Sequence, residues 1–376
     1  MRRKTGIGFL VFILAAAFGA RLAGGQMTSK TVDGVLVIKN GKQPVPAAKV
    51  VLEPLFAIGG ADSPEKEFSS IGAVAVREDG AIYVLDTKEC RVKAFDAAGR
   101  LLFSFGKKGQ GPGEWSLPNG LLITPSKEIL VEDALNRRLS FHALDGTFLR
   151  HQSTAEEMGL TGLLVEPGGR MVGRAMTFAG GKIGFEINIL DKDLKVLKTL
   201  TKIEMAALGQ MKMDPLSSMP GLIVALDAKG DLFLGSAKGY AIRVFDFDGR
   251  PIRTIERDFD PIPVRKEDQD EILKLLAAMP STGGFSVKEM IVFPDVFPAY
   301  SNFIVNPDGR LLVRTYEKGK KPKEYFHDVF DAAGRFVAHA PFALDFLAWR
   351  GDKIYALEEN EDGFKVLKCF RARFEK

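Results

Sequence analysis

Acidic side chains recur at one kind of position in this sequence, the end of a short apolar run. Asp86 closes Ile82-Tyr83-Val84-Leu85, Asp133 closes Ile129-Leu130-Val131-Glu132, and Glu358 closes Ile354-Tyr355-Ala356-Leu357. Ser236 and Thr315 hold the equivalent place elsewhere, and Glu132, Arg174 and Arg314 lie one step earlier. Carboxylates gathered on one surface suit a hard divalent cation, so a cation held by Asp86, Asp133 and Glu358 is one reading. The other is that Asp86 and Asp133 accept hydrogen bonds from nearby backbone and from Arg91 or Arg138. A short acid repeated at a fixed place commonly serves local backbone, and that reading is preferred. No other cofactor is expected.

Other chemistry-bearing types are sparse. His142, His151, His327 and His339 are the only histidines. None makes a metal-ligand spacing, and His142 and His327 read as outer-strand residues. There is no Gly-x-Ser-x-Gly elbow for a nucleophile. The glycine-rich stretch Gly106–Gly113 lacks a terminal Gly-Lys-Ser/Thr and opens no helix, so it is not a phosphate loop. Trp115 and Tyr300 are the aromatic candidates. Each lies just ahead of a strand, where its face could meet a sugar or peptide or could pack between structural units.

These residues are positioned by a repeat. Glu78-Asp79-Gly80 precedes the first apolar run, and Gly169, Gly230, Gly309 and Gly351 precede later ones. A second landmark follows: Phe95-Asp96-Ala97-Ala98-Gly99-Arg100, then Leu144-Asp145-Gly146, Leu190-Asp191-Lys192-Asp193, Phe245-Asp246-Phe247-Asp248-Gly249-Arg250 and Phe330-Asp331-Ala332-Ala333-Gly334-Arg335. Each is a turn between two strand-like runs. Gly99 and Gly146 are 47 residues apart, a spacing that suits one four-stranded propeller blade. Six units run from about Phe68 to Phe374, and the sixth lacks an outer strand. The run Lys49–Ile58 can supply it and close the ring, which removes two unpaired sheet edges. The expected fold is an all-β six-bladed propeller of four-stranded blades. In such a ring the second-strand ends share one face around the channel mouth, so Asp86, Asp133, Glu132, Arg174, Arg314, Glu358, Trp115 and Tyr300 are the candidate ligand-binding residues.

One interval is too long. Gly249 and Gly334 are 85 residues apart, which leaves an insertion of about 40 beyond the repeat period, over residues 257–298. Within it Ile272, Leu275, Leu276 and Met279 share a helical stripe, with acids at Glu267, Asp268, Asp270 and Glu271 before it and Pro280 after it. The helix packs on the propeller rim or serves as a lid or partner-binding arm.

The stretch Gly106-Lys107-Lys108-Gly109-Gln110-Gly111-Pro112-Gly113-Glu114-Trp115, leading to Pro118, resembles the blade linker of NHL-repeat propellers. There a G-x-G-P-G-E-aromatic segment precedes a proline, an inner strand, a D-G turn and a V-x-D-x-x-N-x-R-aliphatic-x-x-F segment. Val131–Phe141 matches that segment well, and Val84–Phe95 matches with Cys90 at the Asn position. Blades 3 to 5 lack the Asp…Arg signature, so there the resemblance implies only the fold. The whole chain is similar to bacterial exported six-bladed propellers. The expected function is that of a non-catalytic binding or scaffold protein that recognises a protein, peptide or glycan at the channel mouth. The alternative is a metal-dependent hydrolase or lyase of the six-bladed type, whose acid, amide and His ligands find no residue-by-residue match here.

The N-terminus reads as an export signal. Arg2, Arg3 and Lys4 precede the apolar run Phe9–Ala20, and Ala23-Gly24-Gly25 offers a cut after Gly25. The run is shorter than the ~20 residues of a bilayer span, so membrane contact would come only through an uncleaved segment. The domains expected are therefore a signal peptide at 1–25, an N-terminal extension at 26–48 and the propeller at 49–376. The location is periplasmic or extracellular, and a monomer is expected. The chain's formal charge is +4, all of it supplied by Arg2, Arg3, Lys4 and Arg21. A neutral mature chain excludes nucleic acid as the main partner, because phosphate binding rests on clustered basic charge. Cys90 and Cys369, the only cysteines, fall in the first and last blades, where separate thiols are preferred to a bridge.

Overall fold

The computed structural model describes residues 27–375 apart from 61–66, 157–158, 208–213, 215, 217–218, 237, 278–290 and 360–364. Six antiparallel sheets each contain four strands of one blade. Blade 1 is built from Ile71–Val76, Ile82–Asp86, Arg91–Phe95 and Leu101–Phe105. Blade 2 follows with Pro118–Ile123, Ile129–Asp133, Arg138–His142 and Phe148–Ser153, and blade 3 with Thr161–Val165, Met171–Ala179, Lys182–Leu190 and Val196–Ala207. Blade 4 comprises Val224–Leu226, Leu232–Gly235, Ala241–Phe245 and Pro251–Arg257, and blade 5 comprises Asn302–Val305, Leu311–Lys318, Tyr325–Phe330 and Phe336–Phe342. The second strands of blades 1 and 2 are buried along their whole length, which explains their unbroken apolar reading. Six apolar clusters fill the blade-to-blade interfaces.

Blade 6 contributes Asp345–Arg350, Lys353–Glu359 and Lys365–Glu375, and its fourth strand is Lys49–Gly59 from the other end of the chain. The expected closure is therefore present, with Val366 opposite Gly59 and Glu375 opposite Lys49.

His142 and His327 differ from expectation. They lie on the third strands of blades 2 and 5, one strand in from the edge, and both are buried. The motif register also shifts by one. Asp86 pairs with Arg91 as Asp133 pairs with Arg138, so Glu89 occupies the Asn136 place. Cys90 matches Arg137, and both adopt φ near +50° (50° and 51°). Cys90 and Cys369 are buried free thiols in separate interface clusters.

Residues ahead of the closing strand do more than lead into it. Val35–Asn40 pairs in parallel with the outer strand of blade 4, and Thr28–Val32 pairs with Val35–Asn40. Asn40 then pins blade 4 to blade 5. Its amide donates to the Glu256 and Gly334 carbonyls at 3.0 Å each and accepts from the Phe336 amide at 2.9 Å. The chain continues along blade 5 through Val45 N to Phe336 O and Ala48 N to Val337 O, at 2.9 and 2.7 Å. Residues 28–59 thus strap three consecutive blades from outside. Replacing Asn40 with Ala leaves two buried groups and one half-buried group without their partner, so a loss of about 2–3 kcal/mol is expected in urea melts.

The insertion contains the helix Lys266–Ala277. Asp268 accepts from the Arg265 amide at its N-terminus and pairs with Lys318 of blade 5 at 2.7 Å. Ile272 and Leu276 are half-buried, and Met279 and Pro280 lie outside the described residues. Residues 1–25, read from the sequence as a signal peptide, are likewise outside them.

Candidate functional site

Strand alternation gives the ring two ends. The interblade linkers and the turns between second and third strands share one, and the remaining turns share the other. At the turn end a recess of about 230 Å3 lies between blades 4 and 5, and the turn acids serve local backbone. Asp96, Asp191, Asp246 and Asp331 each accept backbone amides two and four residues ahead. That is the local use of a short acid at a turn.

The linker end carries the residues singled out by sequence. Asp86 is fully buried and accepts the Ser69 and Ser70 amides at 2.7 and 3.1 Å, with the Lys88 and Glu89 amides at 3.2 Å. Asp133 accepts the Ser116 and Leu117 amides at 3.0 and 3.1 Å, Asn136 at 2.6 Å and Arg138 at 3.3 Å. Each Asp ties its blade's second strand to the linker that enters the same blade. Arg91 donates no described hydrogen bond to Asp86. Exchange of Asp133 for Asn should cost about 2 kcal/mol, because an NH2 then faces donors it cannot accept from. A thermal melt would show it, and an unchanged melt would mean the linker holds itself.

Glu132 behaves differently from its neighbour. It accepts the Gly162 and Leu163 amides of blade 3 at 2.9 and 2.6 Å and so locks two blades together. Burial pushes its carboxyl up to about 7, against the pull of those amides and of Arg174. Arg174 is half-buried, donates to Thr161 Oγ1 at 3.3 Å and lies over the Phe185 ring. Glu358 pairs with Lys368 on the adjacent strand.

Asp86, Asp133 and Glu358 therefore do not fit a shared cation. The Asp86 and Asp133 oxygens are taken within their own blades, Glu358 is ion-paired with Lys368, and among the described residues no three His, Cys, Asp or Glu side chains converge as metal ligands.

Trp115 and Tyr300 do not face the channel mouth. Both are fully buried. Trp115 packs edge-on against Phe105 and His142, at 5.8 and 5.4 Å between centroids. A Cβ on Gly106 would fall 2.1 Å from the indole, and Gly106 has φ +86°. The linker glycine thus makes room for the ring beneath it. The Tyr300 hydroxyl accepts from Ser236 N and donates to Ala241 O, both at 2.8 Å, and so fixes the blade 4 turn. Thr315 donates to Phe326 O at 2.9 Å within blade 5. Glu114 explains the glycine run before it, because its carboxylate accepts the Gln110 and Gly111 amides at 3.1 and 2.9 Å.

Arg314 is the predicted site residue that borders a cavity. A space of about 290 Å3 opens between blades 5 and 6, lined by Asn302, Arg314, His327, Asp345, Phe346 and apolar neighbours. Arg314 pairs with Asp345 at 2.8 Å and lies over the Tyr325 ring at 4.3 Å. The His327 Nδ1 faces the Tyr325 carbonyl at 2.9 Å, so it carries the proton and leaves a lone pair on Nε2. Burial holds His327 down to about 4. Asn302, His327 and Asp345 were not legible as a group, because they come from three strands and share no motif.

The linker end also carries exposed apolar side chains. Leu117 of the blade 2 linker, Leu135 of the following turn and Phe178 at the blade 3 hairpin tip are 53%, 68% and 50% exposed. Val292 and Val296 add to them from the insertion. The other exposed large hydrophobics sit on outer strands or the edge hairpin, among them Leu102, Leu149 and Leu197.

Residues 63–162 match the family model DUF5128, described as a 6-bladed beta-propeller. No curated protein is significantly similar in sequence. Among solved structures, a protein of Bacteroides fragilis NCTC 9343 provisionally described as exported aligns with a TM-score of 0.57 at 14% identity, over 90% of this chain and 99% of that one. A DUF4221 family member from Bacteroides vulgatus aligns with a TM-score of 0.53 at 14% identity, over 87% and 99%. At that identity the likeness is one of fold.

Proposed function

We propose that the chain is an exported, non-catalytic binding propeller of the NHL-like kind that takes a protein, peptide or glycan on its linker end. The observation that carries this reading is the set of exposed apolar side chains Leu117, Leu135 and Phe178 on the linker end. They share that end with the insertion and with the recess of about 290 Å3 between blades 5 and 6, whereas the turn end, whose acids serve their own backbone, has a smaller recess of about 230 Å3 between blades 4 and 5. Exposed apolar side chains on one end of the ring mark an interaction surface. The buried acids of that end are occupied in building blades, which leaves binding as its best-supported role.

Export is supported by the order of Arg2-Arg3-Lys4, the apolar run and Ala23-Gly24-Gly25. A cut after Gly25 would leave the hairpin of Thr28–Val32 and Val35–Asn40 whole. The protein then works in the periplasm or outside the cell, as a monomer.

A thermal-shift screen of peptides and oligosaccharides, followed by hydrogen exchange on the best complex, tests this. Protection is expected on the linker end, at residues 106–117, 134–137 and 177–184 or, beside the recess between blades 5 and 6, at 300–304 and 343–347. Protection confined to residues 96–100 and 143–147 would place the ligand on the other end and overturn the reading, as would turnover of the ligand during the assay.

A further inference from the structure

We propose that the cavity between blades 5 and 6 is a subsite for one neutral, hydroxyl-bearing sugar ring. The inference rests on the reading of the linker end as a binding surface, and it names the ligand class for one part of that surface.

The chemistry of the lining selects the class. Arg314 and Asp345 are one cation and one anion, bonded to each other at 2.8 Å. His327 is a neutral ring whose Nδ1 proton is committed to Tyr325 O, and its Nε2 has no partner among the described residues. Asn302 is exposed and supplies an amide that both donates and accepts. The lining therefore has no net charge. An anion drawn to Arg314 would meet Asp345, and a cation drawn to Asp345 would meet Arg314. A hydroxyl escapes both conflicts, since it donates to Asp345 or to Nε2 of His327 while it accepts from Arg314 or Asn302.

Shape agrees with that choice. Phe346 gives the recess an apolar wall, which suits the C–H face of a pyranose. The volume of about 290 Å3 lies at the small end of ligand pockets, which run from ~300 to 1,000 Å3. One ring fits, and the rest of a longer glycan would lie along the open mouth. His327 is only 2% exposed, and the Phe342 and Phe346 rings hold it at 5.6 and 5.1 Å. Its lone pair is thus fixed before any ligand arrives, which lowers the ordering cost of binding.

The test is a printed array of neutral, sialylated and sulfated glycans probed with the purified protein, followed by titration calorimetry of the best neutral hit. Binding to neutral glycans is expected. Asn302→Ala and Asp345→Ala should each weaken it at least tenfold, while Leu102→Asp, on the outer strand of blade 1, should leave it unchanged. Asn302 is exposed, so its variant will fold and keeps the test decisive. Neutral-glycan binding that is indifferent to Asn302→Ala would overturn the site. A preference for charged glycans would overturn the ligand class. A blank array would overturn the carbohydrate assignment, and peptide binding to the same protein would then leave the broader reading standing.

Discussion

A chain that begins at residue 60 is expected to lose the propeller, whereas one that begins at residue 41 keeps it. The strand Lys49–Gly59 pairs with Lys365–Glu375 across ten register positions. At about 1 kcal/mol for each net backbone hydrogen bond, the pairing alone approaches 10 kcal/mol, comparable to the ~5–15 kcal/mol that holds a domain folded. The strand also packs both ways around the ring. Leu55, Phe56 and Ile58 join the interface between blades 6 and 1, while Val50 and Leu52 join that between blades 5 and 6. Its removal opens two interfaces and exposes the edge that carries Cys369. Size-exclusion chromatography and circular dichroism should find aggregate or unfolded chain. The shorter truncation removes the hairpin and Asn40 but leaves closure intact, so it should remain monomeric with a lowered melting point. A residue-60 chain that melts within a few degrees of the parent would show that the ring needs no closing strand.

The closing strand was legible because the sixth unit visibly lacked a partner and an alternating apolar run stood spare at the other end. The strap that precedes it was not. Every residue of Thr28–Val32 is exposed, so no burial pattern marks that strand. Its place depends on the free edge of blade 4, far along the chain. The position of Asp86 and Asp133 was readable from the repeat, and so was their service to the backbone. Trp115 and Tyr300 misled because a linker aromatic reads as surface, whereas a glycine beneath one and a turn above the other draw both rings inside. The register of Cys90 was misplaced by one because the blade 1 segment has lost the Asn that sets the count. His327 gave no signal either, since its tautomer is decided by a carbonyl and its burial by Phe342 and Phe346 on other strands.

Glu132→Gln is expected to steepen the pH dependence of stability between pH 4 and 7.5 by about 3 kcal/mol, and His327→Gln to shift it by a similar amount in the opposite sense. Glu132 is raised from 4.5 to about 7. Its contribution is present below pH 4.5 and is lost as pH rises through 7, because the unfolded chain releases a proton that the folded chain holds. His327 is lowered from 6.5 to about 4. Its contribution is present above pH 6.5 and is lost as pH falls through 4, because the unfolded chain takes up a proton that the buried ring refuses. Each displacement corresponds to roughly 3 kcal/mol, and the two oppose each other over nearly the same window. The parent protein is therefore flatter with pH than either group alone would make it. His142 and His151, also pushed down by burial, tilt it in the direction of His327. Urea melts at pH 4 and 7.5 on the parent and both variants measure the differences, which do not depend on the uniform cost of either substitution. Parallel curves for the parent and Glu132→Gln would mean that the Gly162 and Leu163 amides compensate the burial of Glu132 in full, leaving it an ordinary carboxylate that staples blade 2 to blade 3.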